Sequence, residues 1–485
     1  MKSAIPCLSL FSMLTVLVSS ALAQTITLPE FLDLVKAKHP LFEREALAVD
    51  MAGVDRDANL GARDWRLSSS PSYFHQTPLP TSPFTPKAVD QFAAGAALEK
   101  VFWNTGGRFA VSWTSDFTDQ DIEDIVIPNL GTISTGEPKF YQNQVLVSYT
   151  QPLFQNFKGE LDRLGYDLSQ YSVDMTSVQA AENQEQFLLD MGTRFIDWVL
   201  LTERKTFAAE QLGLWEQQLD QTRRKREANL VDEVDVLRAV DAVRIAEQNV
   251  VLVEAQWQAK QAELAVLSRS QELYSLNPDF NLYEVVDSES LDSASDRLKA
   301  QSRLLKVLAL RREQMERQYQ GFKELTKPQL YLQAQLASKS GDSELGGALG
   351  LNKSDAGVFL QFSYPLGNRK ARADVTKNQL QIRHHDLETE DVVMNLEAGL
   401  HNLLIQMQGL ERVMALNAQQ IISARLKTQE ELKRYNQGRG DLTFVIQSQD
   451  NEERARLTYA VNAATYQSLN LRLKALLDEL LIKDS

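Results

Sequence analysis

The chain has 485 residues, 24% of them charged, with a formal net charge of −14 and a pI near 5.1. That acidic balance excludes the clustered basic face expected of a nucleic-acid partner. A single cysteine, Cys7, excludes an intramolecular disulfide and a thiolate metal site.

The chain starts with Met1 and Lys2, an apolar stretch from Leu8 to Val18, and Ala21-Leu22-Ala23. A short positive start, a short apolar run and an A-x-A site predict a secretory signal over residues 1–23, cut after Ala23. The apolar run is too short for a membrane anchor. Ala4-Ile5-Pro6-Cys7 makes a poor lipobox, because the cysteine precedes the hydrophobic region. No later run approaches about 18 uncharged apolar residues, so a membrane-spanning part is expected to be something other than a helix.

Alternating segments come next. Phe109, Val111, Trp113 and Phe117 share one parity, and Arg108, Ala110, Ser112, Thr114 and Asp116 the other. Val145, Val147 and Tyr149 oppose Gln144, Ser148 and Thr150; Leu330, Leu332 and Leu336 oppose Gln333 and Gln335. Val358, Leu360, Phe362 and Tyr364 oppose Gln361 and Ser363. Each segment holds about ten residues with one apolar and one polar face, the pattern of a strand between lipid and a wet lumen. A half-buried strand on a soluble sheet alternates in the same way. The signal segment, the lack of a transmembrane helix and the long helical seams tip the reading to a barrel. Residues 92–101 and the weak 65–74 add two candidates, giving up to six strands, in 65–152 and 328–366. The stretches 74–90, 118–138 and 339–353 read as exposed loops, and Asn104-Thr105-Gly106-Gly107 as a tight turn. Trp65, Trp103, Trp113, Tyr141 and Tyr149 are candidates for interfacial girdles, whereas Trp198, Trp215 and Trp257 fall in helices.

The rest is helical. A helix is predicted over 293–326, and two long hairpins over 159–271 and 367–482. In the second hairpin Val393, Leu396, Leu400, Leu403, Met407, Leu410 and Met414 recur at steps of three and four on the way in. Tyr459, Ala463, Tyr466, Leu473, Leu477 and Leu480 keep that rhythm on the way out. A seam of period about 3.5 is what coiled-coil packing requires. The incoming arm, roughly 70 residues, would reach about 100 Å at about 1.5 Å per residue. The first hairpin has its own seam, from Val236 through Ala239, Val243, Ala246, Val250 and Val253 to Trp257.

The chain reads as one architecture written twice, over 24–285 and 286–485. A strand ends in Gln151-Pro152-Leu153-Phe154, and another in Tyr364-Pro365-Leu366-Gly367. Each Pro-Leu opens a helical run that breaks, once at Asn229 and once at Gly438, with Gly440 just beyond. Asn and Gly both tolerate the left-handed conformation that reverses a helix.

Other chemistry finds no constellation. His384-His385 is adjacent on a helix, so the rings cannot share a face as i, i+4 ligands do, and the pair is read as solvated surface. His39, His75 and His401 have no carboxylate or cysteine at ligand spacing. The glycines of 341–350 lack the Lys-Ser/Thr of a phosphate loop. No metal, no cofactor and no enzymatic activity is expected.

These residues resemble the TolC-like family of outer-membrane efflux proteins, also called outer membrane factors, over nearly all of the chain after the signal. Thr27-Leu28-Pro29-Glu30-Phe31 through His39-Pro40-Leu41 is similar to the family's first helix, which usually ends in Asn-Pro; here His39 replaces the Asn. The strand–Gln-Pro-Leu-Phe–helix junction, the turn Arg434-Tyr435-Asn436-Gln437-Gly438 and the later Gln449 also resemble family features. The resemblance implies an α+β membrane protein: a trimeric outer-membrane β-barrel continued by a long periplasmic α-helical coiled-coil tunnel, built from two internal repeats. It implies a homotrimer in outer-membrane lipid, met by a periplasmic adaptor and an inner-membrane transporter. The component would export passively in efflux or type I secretion. Four to six strands cannot close a barrel alone, which independently calls for partner copies. The alternative is a periplasmic coiled-coil adaptor that never enters the membrane.

Two departures matter. The family typically supplies four strands per protomer, so either the barrel is wider or one hairpin lies outside it. The family's tip often carries a ring of acids at the closed aperture. At matched offsets this chain has Asp235 in the first copy but Phe444 in the second, so the ring is incomplete or moved to Asp232, Glu233 and Asp441. These acids, with Tyr435 and Arg439, are the aperture candidates. Each acid has a plainer role as well, because a carboxylate in a first helical turn caps N–H groups.

Overall fold

The computed structural model describes residues 24–82, 85–122, 124–127, 131–133, 139–286 and 290–481; the expected signal over 1–23 lies outside them. In chain order the elements are β1 (Thr25–Thr27), α1 (Leu28–Lys38), α2 (Pro40–Ala58), β2 (Arg66–Ser69), β3 (Ser72–Gln76), β4 (Ala88–Phe102) and β5 (Gly107–Asp121). There follow β6 (Ile125–Ile127), β7 (Gly131–Ile133), β8 (Lys139–Pro152), α3 (Glu160–Glu227), α4 (Glu233–Leu267), β9 (Asn277–Asp279) and α5 (Leu291–Gln301). The chain continues with α6 (Arg303–Leu325), β10 (Gln329–Asp342), α7 (Leu345–Ala348), β11 (Lys353–Ser363), α8 (Arg369–Asn436) and α9 (Leu442–Leu476). Among the described residues they form two compact units, one within 24–43, Gln184–Gln301 and 397–481, the other within Arg44–Asn183 and Ser302–Leu396.

The second unit holds one antiparallel sheet in the order β11-β10-β8-β5-β4, with β2 and β3 both against the outer side of β4. Pleating puts registered partners on one face. One row therefore runs Leu67–Leu98–Val111–Val147–Leu336–Ala356 across every strand. The neighbouring row on the opposite face runs Arg66–Glu99–Ala110–Ser148–Gln335–Gly357. The first face is apolar and open: Leu67 is 75% exposed, Leu336 57% and Val358 74%. Aromatic rows bound it. Tyr73, Phe92, Phe117 and Tyr141 are successive register partners at one end. Trp65, Phe102, Phe109 and Tyr149 gather at the other, with Trp65 edge-on to Phe109 at 6.2 Å. Roughly eight residues separate the rows, or ~26 Å along a strand.

Two of the aromatic candidates belong elsewhere. Trp113 sits at mid-height, registered with Ala96 and Val145. Trp103 is in the β4–β5 turn and is buried by Tyr166 and Arg63. That turn packs so tightly on the segment after β8 that a side chain at Gly106 or Gly159 would strike backbone, and both glycines have positive φ. Gln151 fixes the same junction, its Nε2 donating to the Thr105 carbonyl at 2.7 Å. Pro152 ends β8, and the Leu153 N–H donates to the Leu330 carbonyl. Pro365 lies just beyond β11 and accepts from the Asn368 N–H, while Leu366 is 98% exposed.

Helices of this unit meet through specific polar contacts. Arg317 Nε donates to Asp167 at 2.8 Å, and Glu45 accepts from Asn183 at 2.9 Å. The continuous helix expected over 293–326 is broken at Ser302, whose side chain caps α6 by accepting from the Leu305 N–H. His385 is buried, not solvated: a ring nitrogen lies 2.9 Å from the Leu308 carbonyl, which removes it from the helix surface while His384 stays exposed. No helix among the described residues is long and apolar enough to cross a membrane.

The first unit is a helical core. The Thr27 N–H donates to Glu30 at 2.9 Å and starts α1, which buries Phe31 and Val35. Those side chains meet Leu188, Phe195 and Trp198 of α3, Leu264 of α4 and Tyr466 of α9. β1 pairs in parallel with β9, a contact that the sequence pattern did not reveal. Gln467 of α9 donates to the Leu282 and Glu284 carbonyls, satisfying a segment with no ladder of its own. Neither 68-residue helix, α3 or α8, contains a proline, and each is followed by a 35-residue partner.

Phe195 is fully buried and stacks on Phe31 at 5.2 Å. Phe195→Ala is expected to destabilise the fold by about 3–5 kcal/mol, the usual cost of an aromatic-sized cavity. The measurement is the urea midpoint of the full chain by tryptophan fluorescence; an unchanged midpoint would remove Phe195 from the core.

Candidate aperture at the paired helix reversals

Both reversals use one hydrogen-bond scheme. At the end of α3 the Leu230 N–H donates to the Lys225 carbonyl at 2.8 Å and the Asn229 N–H to Arg226 at 2.9 Å. At the end of α8 the Arg439 N–H donates to Arg434 at 2.9 Å and the Gly438 N–H to Tyr435 at 3.1 Å. Each is a Schellman motif closed by one left-handed residue, Asn229 with φ 56 and Gly438 with φ 71. Gly440 has a different reason: a Cβ there would lie 3.0 Å from the Tyr435 nitrogen. Asp232 follows Asn229 at the offset at which Asp441 follows Gly438, and both are N-caps in extended conformation.

The two caps differ in use. Asp441 Oδ1 accepts from the Thr443 N–H at 2.7 Å, whereas Asp232 makes no side-chain cap bond. Hydrogen bonding from Thr443 holds the Asp441 carboxyl below the usual range, with Arg238 adding to it. Arg238 is one residue that sequence reasoning missed. Its Nη1 is 3.1 Å from Asp235 Oδ1 and 3.9 Å from Asp441 Oδ1, so it links one acid from each reversal. Glu233 is 3.3 Å from Arg226 Nε. Asp235, Asp441 and Glu233 thus all face a guanidinium. Its signal was the acid-to-Arg spacing in the first turns of α4, which also fits an ordinary i, i+3 surface pair.

Tyr435 is buried, 4% exposed, among Ala239, Leu442 and Val445. Its hydroxyl lies 3.2 Å from Thr222 Oγ1. Lys225 Nζ sits 3.5 Å from the ring centroid and donates to the Tyr435 carbonyl at 3.1 Å. An ammonium at the carbonyl end of α8 meets the negative end of that helix and the ring face together. Burial lowers the Lys225 pKa and raises that of the Tyr435 phenol. Thr222 and Lys225 were not singled out by sequence; they come from α3, distant in the chain. Arg439 is exposed on an open cleft of about 1050 Å³ that Asp232, Asp235 and Asp441 also line.

The two long helical hairpins thus share a charged, open tip, and the sheet has one apolar face. No protein-family model matches the chain, and no curated protein does. Solved structures do match. The outer membrane protein VceC of Vibrio cholerae superposes with a TM-score of 0.65 at 10% identity, over 93% of this chain and 96% of that one. CusC, described as forming a transmembrane channel, gives 0.66 at 11% identity over 93% and 91%. The Neisseria gonorrhoeae MtrE outer membrane channel gives 0.62 at 12% over 94% and 90%. The fold is that of an outer-membrane channel chain. At these identities the likeness is one of fold.

Asp441→Ala is expected to cost about 1 kcal/mol at this cap, and Asp441→Asn much less, since Asn caps equally well. Because the Asp441 pKa is depressed on folding, its contribution is present above the unfolded carboxylate value and is lost as pH falls through the folded one. Hydrogen exchange at the Thr443 amide measures both. Equal protection in the Ala variant and the parent would refute the cap.

Proposed function

We propose that the chain is the protomer of an outer-membrane exit duct, passively exporting substrates delivered by an inner-membrane pump and a periplasmic adaptor, in efflux or type I secretion. The observation that supports it most is the sheet: an open apolar face on every strand, bounded by aromatic rows, backed by a polar face. A band ~26 Å along the strands, or ~20 Å tall at a barrel tilt of about 40°, and flanked by aromatic girdles, is of the order an outer membrane requires. Its open edges call for copies that close a barrel, and the reading is a homotrimer with strands in outer-membrane lipid and helices in the periplasm. The likeness to VceC, CusC and MtrE chains favours that arrangement. The duct does no catalysis and needs no cofactor; cargo choice rests with the pump.

The two halves, 24–285 and 286–485, are read as duplicated copies. Matched helix lengths and the shared reversal scheme support this. Around the three-fold axis the reversals would ring an aperture, with Asp232, Glu233, Asp235, Tyr435, Arg439 and Asp441 as its residues. A periplasmic adaptor that stays out of the membrane would leave the apolar face in water.

Two results check this reading. Leu336→Arg, on the apolar face about a quarter of the way between the aromatic rows, should lower membrane-inserted stability by less than the ~2–4 kcal/mol of a midplane arginine, while Gln335→Arg on the polar face should assemble normally. Fractionation and heat-modifiable migration of the two variants read this directly; recovery of the parent as a soluble periplasmic monomer would end the duct reading. At the aperture, neutralising Asp235 and Asp441 together should reduce cation selectivity, and Arg238→Gln should raise it, because the arginine faces both acids. Reversal potentials in planar bilayers that do not move in opposite directions would remove these acids from the pore.

A further inference from the structure

We propose that β11 of one copy pairs with the β2–β3 strand of the next, so that all six strands of each chain enter one barrel. The number of copies rests on the duct reading; with three, six strands each make eighteen. The family resembled by this sequence typically uses four strands per protomer, so the extra hairpin needs a place.

Four observations put it in the wall. First, β2 and β3 are halves of one strand. Ser69 pairs with Ala96 and Ser72 with Ala93, an unbroken register across Ser70-Pro71, and the Ser70 N–H donates to the Gly95 carbonyl at 3.0 Å. Second, β4 cannot peel away from β5, since the two pair from Ala88↔Asp121 to Phe102↔Gly107 without a gap. Third, the apolar face continues onto the extra hairpin. Leu67 and Tyr73 are 75% and 68% exposed and extend rows that run in from β11 and β8. A hairpin lying outside the membrane would place those side chains in water. Fourth, direction matches. Six is even, so β2–β3 and β11 run oppositely, and joining identical copies in a ring gives an antiparallel junction at every seam.

The backbone supplies the need for a partner. Because Ser70 bonds to β4, its alternate neighbours Leu67, Ser69 and Tyr73 point their N–H and C=O groups to the outer edge. Such groups are not tolerated facing lipid. Pro71 falls in that same alternate set and brings no N–H to the seam, so closure forgoes one donor there. The consequence is a bore of the porin class, in which strands of this number enclose water.

Disulfide trapping tests it. The only native cysteine, Cys7, lies in the expected signal, so background is absent in the processed chain. Full-length variants carry Leu67→Cys or Ser69→Cys together with Ala356→Cys, Val358→Cys or Leu360→Cys, all on the apolar face. A comparison set replaces the first partner by Val111→Cys on β5. After oxidation in isolated outer membranes, bands should shift from protomer to covalent dimer and trimer in the first set, and stay at protomer in the second. Shifts in the Val111 set, or none across the first, overturn the six-strand closure. The native mass of the unmodified protein separates the two readings. A membrane-embedded trimer whose Val111 set links keeps the duct and discards the wide barrel; a soluble monomer discards both.

Discussion

Backbone N–H and C=O groups kept from water have to be paired within protein, and that requirement shapes both units. In the sheet it fixes one register across every strand, even across Pro71, where the ladder continues through the Ser70–Gly95 bond. In the helices it governs the ends. A helix of 68 residues satisfies its own interior, but its last carbonyls need donors, and each reversal supplies them through one left-handed residue. Where neither ladder nor helix is available, side chains step in: Gln467 and Gln261 donate to carbonyls of the segment around β9.

The tip shows why charge counting misleads. The acids Asp232, Glu233, Asp235 and Asp441 read as an acidic ring. In space Arg238 stands between Asp235 and Asp441, and Arg226 meets Glu233. These are exposed pairs, individually weak and screened by salt. Around the cleft Lys225, Arg226, Arg434 and Arg439 match Asp232, Asp235, Glu431 and Asp441 in number, so the acids alone do not set the sign of the local field. The buried element is different in kind. Tyr435 joins α8 to α3 through Thr222 and Lys225, with the ring desolvated on both sides. Burial rather than net charge distinguishes this contact from the ion pairs of the tip.

Much of this was legible in the sequence, and for identifiable reasons. Period-two alternation placed β5, β8, β10 and β11, because a pleated strand shows its faces directly in parity. The seams placed the long helices, and Asn229 and Gly438 fall at positive φ as their chemistry suggests. What stayed hidden depends on distance along the chain. The β1–β9 pair joins three-residue strands too short to carry a pattern. His385 looks like helix surface until α6 packs over it and offers the Leu308 carbonyl. Ser302 breaks a helix that periodicity alone would carry through, since a serine side chain can take over the N-cap role in place of one more helical turn. Arg238 and Lys225 matter only through partners that lie far off in sequence or across a turn.

The two halves differ in one respect that the backbone explains. Helix lengths and reversal schemes match between them, but β2–β3, β4, β5 and β8 precede α3, whereas only β10 and β11 precede α8. On the reading of two copies, the first has two strands more. An extra single strand would reverse the direction of everything after it and would give a parallel seam between copies. An extra pair leaves every later strand pointing as before and keeps both edges compatible. The addition also had to preserve parity, since a one-residue slip would turn the apolar face inward. The row from Leu67 through Leu98 to Val111 keeps it. A hairpin with correct direction and correct parity has the two properties a wall strand needs, and neither is required of a loop that merely hangs outside.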